Sequence, residues 1–120
     1  MTEIQNSKLY DLEERTLQFA KRVYKFCKKL PHNVCDFEIL KQLIRAAGST
    51  GANYIEANES LSKKDFIMRI KISRKEAKEC IYWLKIIEVS NSEIQEEQNY
   101  LLKESAELMK IFGSILQKSK

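Results

Sequence analysis

The chain has 120 residues, 43% hydrophobic and 32% charged, with one proline, three glycines and a formal net charge of +4. This length and composition fit one globular, helix-leaning domain covering residues 1–120, with few places where the chain can turn. No apolar run approaches the roughly 20 residues needed to cross a bilayer, and residues 1–7 lack the apolar segment of a signal peptide, so a membrane role is excluded and a cytoplasmic location is expected.

The first helix is expected over about residues 9–30. Leu9, Leu12, Thr16, Phe19, Val23, Phe26 and Leu30 follow one another at steps of three and four, which places them on one stripe. Leu30-Pro31 ends it, because proline disfavours helical geometry in the residue before it. Pro31, His32, Asn33 and Val34 then form a short loop.

A second helix is expected over about residues 36–58, with Phe37, Leu40, Ile44, Ala47, Gly51 and Tyr54 as its inward stripe. Gly48 and Gly51 each lower helix propensity by roughly 1 kcal/mol relative to alanine. They lie in the run Ala46-Ala47-Gly48-Ser49-Thr50-Gly51-Ala52, whose small side chains suit close approach of another backbone. Opposite the inward stripe, at about 100° per residue, lies a band of Gln42, Arg45, Ser49, Asn53 and Glu56, flanked by Ala46, Gly48, Ala52 and Ala57. A solvated face usually carries more lysine and glutamate. The band is therefore a candidate subunit interface or structural contact.

The third helix is expected over about residues 63–89. It opens at Ser62-Lys63-Lys64-Asp65, a variant capping box, and its stripe is Phe66, Ile70, Ser73, Ala77, Cys80, Leu84 and Ile87. The fourth, about 92–117, follows a second capping box at Ser90-Asn91-Ser92-Glu93. In it Leu101, Leu108, Phe112 and Ile115 share a face, and Leu102, Met109 and Leu116 recur beside them. Four such segments with short connections give an all-α fold, an antiparallel up-down-up-down four-helix bundle. Ile67, Ile72, Ile81, Trp83 and Ile86 widen the apolar side of the third helix beyond a bundle's needs. They either broaden the core or form an association surface.

The charge is unevenly distributed. The first helix holds six basic and three acidic residues and the third holds eight and four, an excess that the rest of the chain reduces to +4. In the first helix Lys21, Arg22, Lys25, Lys28 and Lys29 gather toward the C-terminal end, with Asp11, Glu13 and Glu14 in the early turns, as the helix dipole favours. The third differs. Lys64, Lys71, Lys78 and Lys85 recur every seven residues, with Arg74, Lys75 and Tyr82 among them. Like charges so spaced destabilise a helix slightly. Contact with the phosphates of RNA or DNA would offset that through counterion release.

Catalytic chemistry is not evident. Cys27, Cys35 and Cys80 form no CxxC pair and have no histidine at ligand spacing, which fits reduced thiols. His32, the single histidine, lies in a loop without the Glu-x-x-His pattern of di-iron bundles. Glu76 and Glu79 stand three apart but off the core stripe, as do Glu56 and Glu59. There is no P-loop and no GxSxG. The expectation is a protein that is not an enzyme and has no metal or cofactor.

In its second and third helices the chain resembles the four-helix-bundle proteins of intervening sequences in large-subunit (23S) ribosomal RNA genes, sometimes labelled a ribosomal protein. The accessory variability determinant of diversity-generating retroelements is a relative. The matching residues are Gln42-Leu43-Ile44-Arg45-Ala46-Ala47, Ser49, Asn53 and Glu56, then Ser62, Asp65-Phe66, Ser73, Lys75-Glu76, Glu79 and Trp83-Leu84. Glu14-Arg15-Thr16, Phe19-Ala20 and Leu30-Pro31 add to them, so the likeness runs over about residues 9–116. It departs at Thr50-Gly51, where many members have isoleucine and often proline, and at Asn58, near a common glycine. The resemblance implies a ring-shaped homo-oligomer, typically a pentamer with a basic central channel. The accessory relative binds nucleic acid and a reverse transcriptase. The leading expectation is a nucleic-acid-associated oligomer using Lys64, Lys71, Arg74, Lys75, Lys78 and Lys85; the alternative is a protein-interaction scaffold, for example beside a reverse transcriptase.

Overall fold

In a computed structural model the backbone of residues 2–120 is described, together with the side chains of residues 12–33 and 35–120. The described residues form four helices, α1 (Thr2–Lys28), α2 (Val34–Asn58), α3 (Lys63–Ile86) and α4 (Ser92–Lys118). None of them is in a strand. Each helix packs on its neighbour in sequence, and α1 closes against α4. The contacts run in opposite directions along each pair. Arg15 and Arg22 on α1 meet Glu104 and Glu97 on α4, while Arg45 and Asn53 on α2 meet Glu76 and Arg69 on α3. The result is an antiparallel four-helix bundle, 45 × 27 × 19 Å.

α1 begins at Thr2, well before the expected start near residue 9, since no proline or glycine interrupts residues 2–8. Leu9 and Asp11 lie outside the described side chains. At the other end the last turn tightens: the Lys29 and Leu30 amides donate to the Phe26 and Cys27 carbonyls, and His32 Nε2 donates to Cys27 O at 2.9 Å. That occupies carbonyls which a helix C-terminus otherwise leaves unpaired. Asn33 caps α2 by accepting from the Asp36 amide, so the helix opens at Val34, and with α1 ending at Lys28 the connection is residues 29–33, shifted toward the N-terminus from the expected loop. Ser62 caps α3 as its sequence implied.

The expected box at Ser90 is not the one used. Asn91 caps α4, its Oδ1 accepting from the Glu93 and Ile94 amides at 2.9 and 3.1 Å. A carboxamide oxygen one residue nearer the helix reaches both amides, and it leaves Glu93 at the second helical position rather than the third. α3 stops at Ile86, short of residue 89, and its end is closed from outside. Gln98 of α4, itself buried, donates through Nε2 to the Leu84 and Ile87 carbonyls at 2.8 and 2.7 Å.

The core is built from the expected stripes of α1, α3 and α4. Phe19, Val23 and Phe26, then Ile70, Ala77, Cys80 and Leu84, then Leu101, Leu108 and Phe112 are all buried. Tyr54 and Phe112 meet across the centre from opposed helices, with ring centroids 5.8 Å apart. α2 is turned from its expected orientation. Leu40, Leu43, Ala46, Ala47, Thr50, Gly51, Tyr54 and Ala57 are buried, whereas Phe37 and Ile44 are 53% and 40% exposed. The small side chains explain the turn. A Cβ on Gly51 would stand 2.9 Å from Thr16 Oγ1 of α1, and Ser73 Oγ of α3 donates to the Thr50 carbonyl at 2.9 Å. The small Ala46, Ala47, Thr50 and Gly51 let the middle of α2 sit this close to both neighbours, with Leu40, Leu43 and Tyr54 buried on the same side and Phe37 and Ile44 turned outward. On α3, Ile67, Ile72, Ile81 and Trp83 are half-buried and Ile86 is exposed.

Candidate nucleic-acid interface

The polar band of α2 lies along its seam with α3. Arg45 Nη1 donates to Glu76 Oε2 at 2.9 Å, Nη2 donates to Glu79 Oε1 at 2.6 Å, and Nε reaches Gln42 Oε1 at 3.3 Å. Asn53 Nδ2 donates to the Ser49 carbonyl and hydroxyl, and its Oδ1 accepts from Arg69 of α3 at 3.0 Å. Glu56 is exposed. The band therefore has intramolecular partners across one seam. Glu76, placed off the core stripe by its spacing, is buried, with a side chain only 5% exposed. A carboxylate so buried needs compensation, and the Arg45 guanidinium provides it.

The same arginine begins a chain of contacts that reaches the surface. Glu79 accepts from Trp83 Nε1 at 3.0 Å as well as from Arg45. Burial works to raise the Glu79 carboxyl pKa, but the Trp83 N–H and the Arg45 charge outweigh it and hold the group below its ordinary value. Trp83 in turn meets Tyr82 nearly edge-on, with ring centroids 5.2 Å apart and planes at 76°.

Tyr82 stands among the basic residues of α3. Lys64, Lys71, Arg74, Lys75, Lys78 and Lys85 are all exposed, and none takes part in an ion pair among the described residues. At about 1.5 Å per residue, the stretch from Lys64 to Lys85 extends roughly 30 Å. α1 makes the contrast clear. Arg15 and Arg22 are neutralised by bidentate bonds to Glu104 and Glu97, at 2.6 to 2.9 Å. The arginines of α1 are consumed in binding α4, whereas its Lys21, Lys25 and Lys28, and Lys29 just after it, are exposed and outside any ion pair among the described residues, as the basic stripe of α3 is.

Two features were not read from the sequence. Lys103 and Lys110 are exposed on α4, and the antiparallel register set by Gln98 against Leu84 brings them level with the α3 lysines. Counting charge by helix hid them, because the glutamates of α4 outnumber its lysines. The other feature is an apolar row on the outside of α1 and α2. Leu17, Tyr24, Phe37, Ile44 and Ile55 are each at least 40% exposed. Between the two helices Tyr24, Cys27, Phe37, Leu40 and Ile44, with Lys28, His32 and Lys41, line an open groove of about 240 Å³. Leu17 and Tyr24 stand seven residues apart, as do Phe37 and Ile44, and that repeat is the signal that marks the row.

Residues 9–114 match the family described as 23S rRNA-intervening sequence protein. The chain belongs to that family. A solved relative in the family's fold is a protein of unknown function from the S23 ribosomal protein family of Bacteroides thetaiotaomicron. The two are 31% identical with a TM-score of 0.75, over 87% of this chain and 96% of the relative. No curated protein matches the chain. Among the described residues, no helix is long and apolar enough to cross a membrane and no three His, Cys, Asp or Glu side chains gather where they could hold a metal ion.

Proposed function

We propose that this protein is a non-catalytic homo-oligomer of the cytoplasm that associates with nucleic acid through the basic side of α3. The unpaired lysines carry the reading. Lys64, Lys71, Arg74, Lys75, Lys78 and Lys85 lie exposed along one helix, without carboxylate partners among the described residues, while the arginines of α1 are tied to glutamates. A protein that needed charge only for solubility would intersperse the two signs. Contacts of this type bind the phosphate backbone and position the partner; they do not read base sequence.

The apolar row on α1 and α2 supports assembly. Exposed Leu17, Tyr24, Phe37, Ile44 and Ile55 form a surface of the kind that marks association, and it lies on helices other than the one bearing the lysines. A second copy of the chain is its occupant in this reading, with copies closing into a ring. Light scattering after gel filtration should give a single multimeric mass. A clean monomer would remove the assembly.

For the nucleic acid, the test is the triple substitution Lys71→Glu, Lys75→Glu, Lys78→Glu, measured by fluorescence anisotropy with labelled RNA and DNA. All three residues are exposed, so folding should survive, as far-UV circular dichroism will show. Binding should be abolished. If the triple variant binds as the native protein does, the nucleic-acid reading fails. A protein partner retained through nuclease and high salt would then favour a scaffold, with the apolar row as its docking side.

A further inference from the structure

Three tyrosines with described side chains are exposed, and they differ in what covers their rings. The Arg22 guanidinium lies 3.5 Å from the Tyr100 ring centroid, and Lys28 Nζ lies 5.1 Å from that of Tyr24. No cation lies over Tyr82 among the described residues, although lysines surround it and it is the most exposed of the three, at 61%. Its one ring contact is with Trp83, at 76°. Whichever ring supplies the edge in such a contact, one face of Tyr82 stays open.

The ring is also held. Trp83 is fixed by its bond to Glu79, Glu79 by Arg45, and Arg45 by the buried Glu76, so the support for Tyr82 runs back to α2. A partner that stacks on a ring already positioned loses less side-chain freedom on binding.

Resting on the nucleic-acid reading above, we infer that the partner of α3 is an unpaired strand and that one of its bases stacks on Tyr82. A duplex presents phosphates and groove edges to a surface helix, and its base faces are occupied by neighbouring pairs. Only an unpaired strand offers base faces to an aromatic ring while its phosphates meet lysines, a combination that recurs where single strands are bound without sequence preference. Lys75, Lys78 and Lys85 lie three to seven residues from Tyr82 and supply the phosphate contacts on either side of the stacked base.

Trp83 is the single tryptophan of the chain and touches the proposed platform, so its fluorescence reports on it directly. The probe is an oligouridine of about 12 nucleotides, within the footprint of such binders, compared with an RNA duplex of equal length at low salt. The native protein should prefer the single strand at least tenfold, with a change in Trp83 emission on binding. Tyr82→Ala should weaken single-strand binding by about 5- to 150-fold, the range a base–aromatic stack represents, and leave duplex binding unchanged. Tyr82→Phe, which keeps the ring, should bind as the native protein does. Equal affinity for strand and duplex, or unchanged strand binding by Tyr82→Ala, overturns the stacking inference. If the triple lysine variant still loses binding in that case, the phosphate reading survives without it. No binding of either probe by the native protein overturns both.

Discussion

Gly51 and Gly48 are three residues apart on one helix, yet their surroundings give opposite predictions. A Cβ at Gly51 would meet Thr16 Oγ1 at 2.9 Å and Thr16 Cβ at 3.1 Å, on a β-branched side chain whose hydroxyl is already bonded to the Glu13 carbonyl. Gly51→Ala should lower stability by about 1–2 kcal/mol, the cost of overpacking exceeding the gain in helix propensity. At Gly48 nothing lies within 4 Å, so Gly48→Ala should raise stability by about 0.5–1 kcal/mol. Urea denaturation of both variants checks the pair. The run of small residues was legible in the sequence as a place for close packing. Gly51 was read on the inward stripe and Gly48 beside the outward band, and both lie so; that Gly51 meets Thr16 of α1 was not legible, because that contact depends on how α2 docks.

The cysteines allow a second check at this scale. Burial pushes the thiols of Cys27 and Cys80 up to about 12, while Cys35 is exposed. A thiol reagent at neutral pH should modify Cys35 alone in the folded protein and all three after unfolding. Reaction of two or more thiols at the native rate would contradict the packing around α1 and α3.

At the scale of elements, seams are fastened by side chains whose partners lie far away in sequence. Gln98 closes the C-terminus of α3, and Gln98→Leu should cost about 1–3 kcal/mol because a buried carbonyl, Leu84, and a part-buried one, Ile87, lose their donor. Thermal denaturation measures it. The Arg45 seam adds a pH dependence. Glu79 has its pKa lowered in the folded protein, so its contribution is present above its ordinary value of 4.5 and lost as pH falls through the lower folded value. Stability should therefore decline on acidification below about 4.5, and Arg45→Ala should flatten that decline while destabilising the protein at neutral pH. The helices themselves were readable from their apolar steps, since burial of Phe19, Ile70 or Leu101 follows from period alone. Phe37 and Ile44 were misplaced for a physical reason: period locates a stripe only to within a wide arc, and on α2 the polar band obeys the same period. The arc was decided by Thr50 and Gly51, through contacts with Thr16 and Ser73 that no local pattern reveals.

For the whole molecule, the apolar row of α1 and α2, which Lys28 and Lys41 border, lies on helices other than the one with the Lys64–Lys85 stripe, so assembly through α1 and α2 leaves α3 free for a charged partner. The lysine stripe was legible because seven-residue spacing on a helix is a statement about direction as well as composition. The support beneath Tyr82 was not. Arg45, Glu79 and Trp83 matched the family pattern, but their linkage to the exposed ring requires α2 and α3 in register.

The affinity for a single strand as a function of salt tests the central claim most directly, because a phosphate contact releases a counterion and an apolar contact does not. With Lys64, Lys71, Lys75, Lys78 and Lys85 all engaged, log K should fall against log salt with a slope of about −3.5. A slope near zero in the native protein would mean that these lysines face solvent and nothing else.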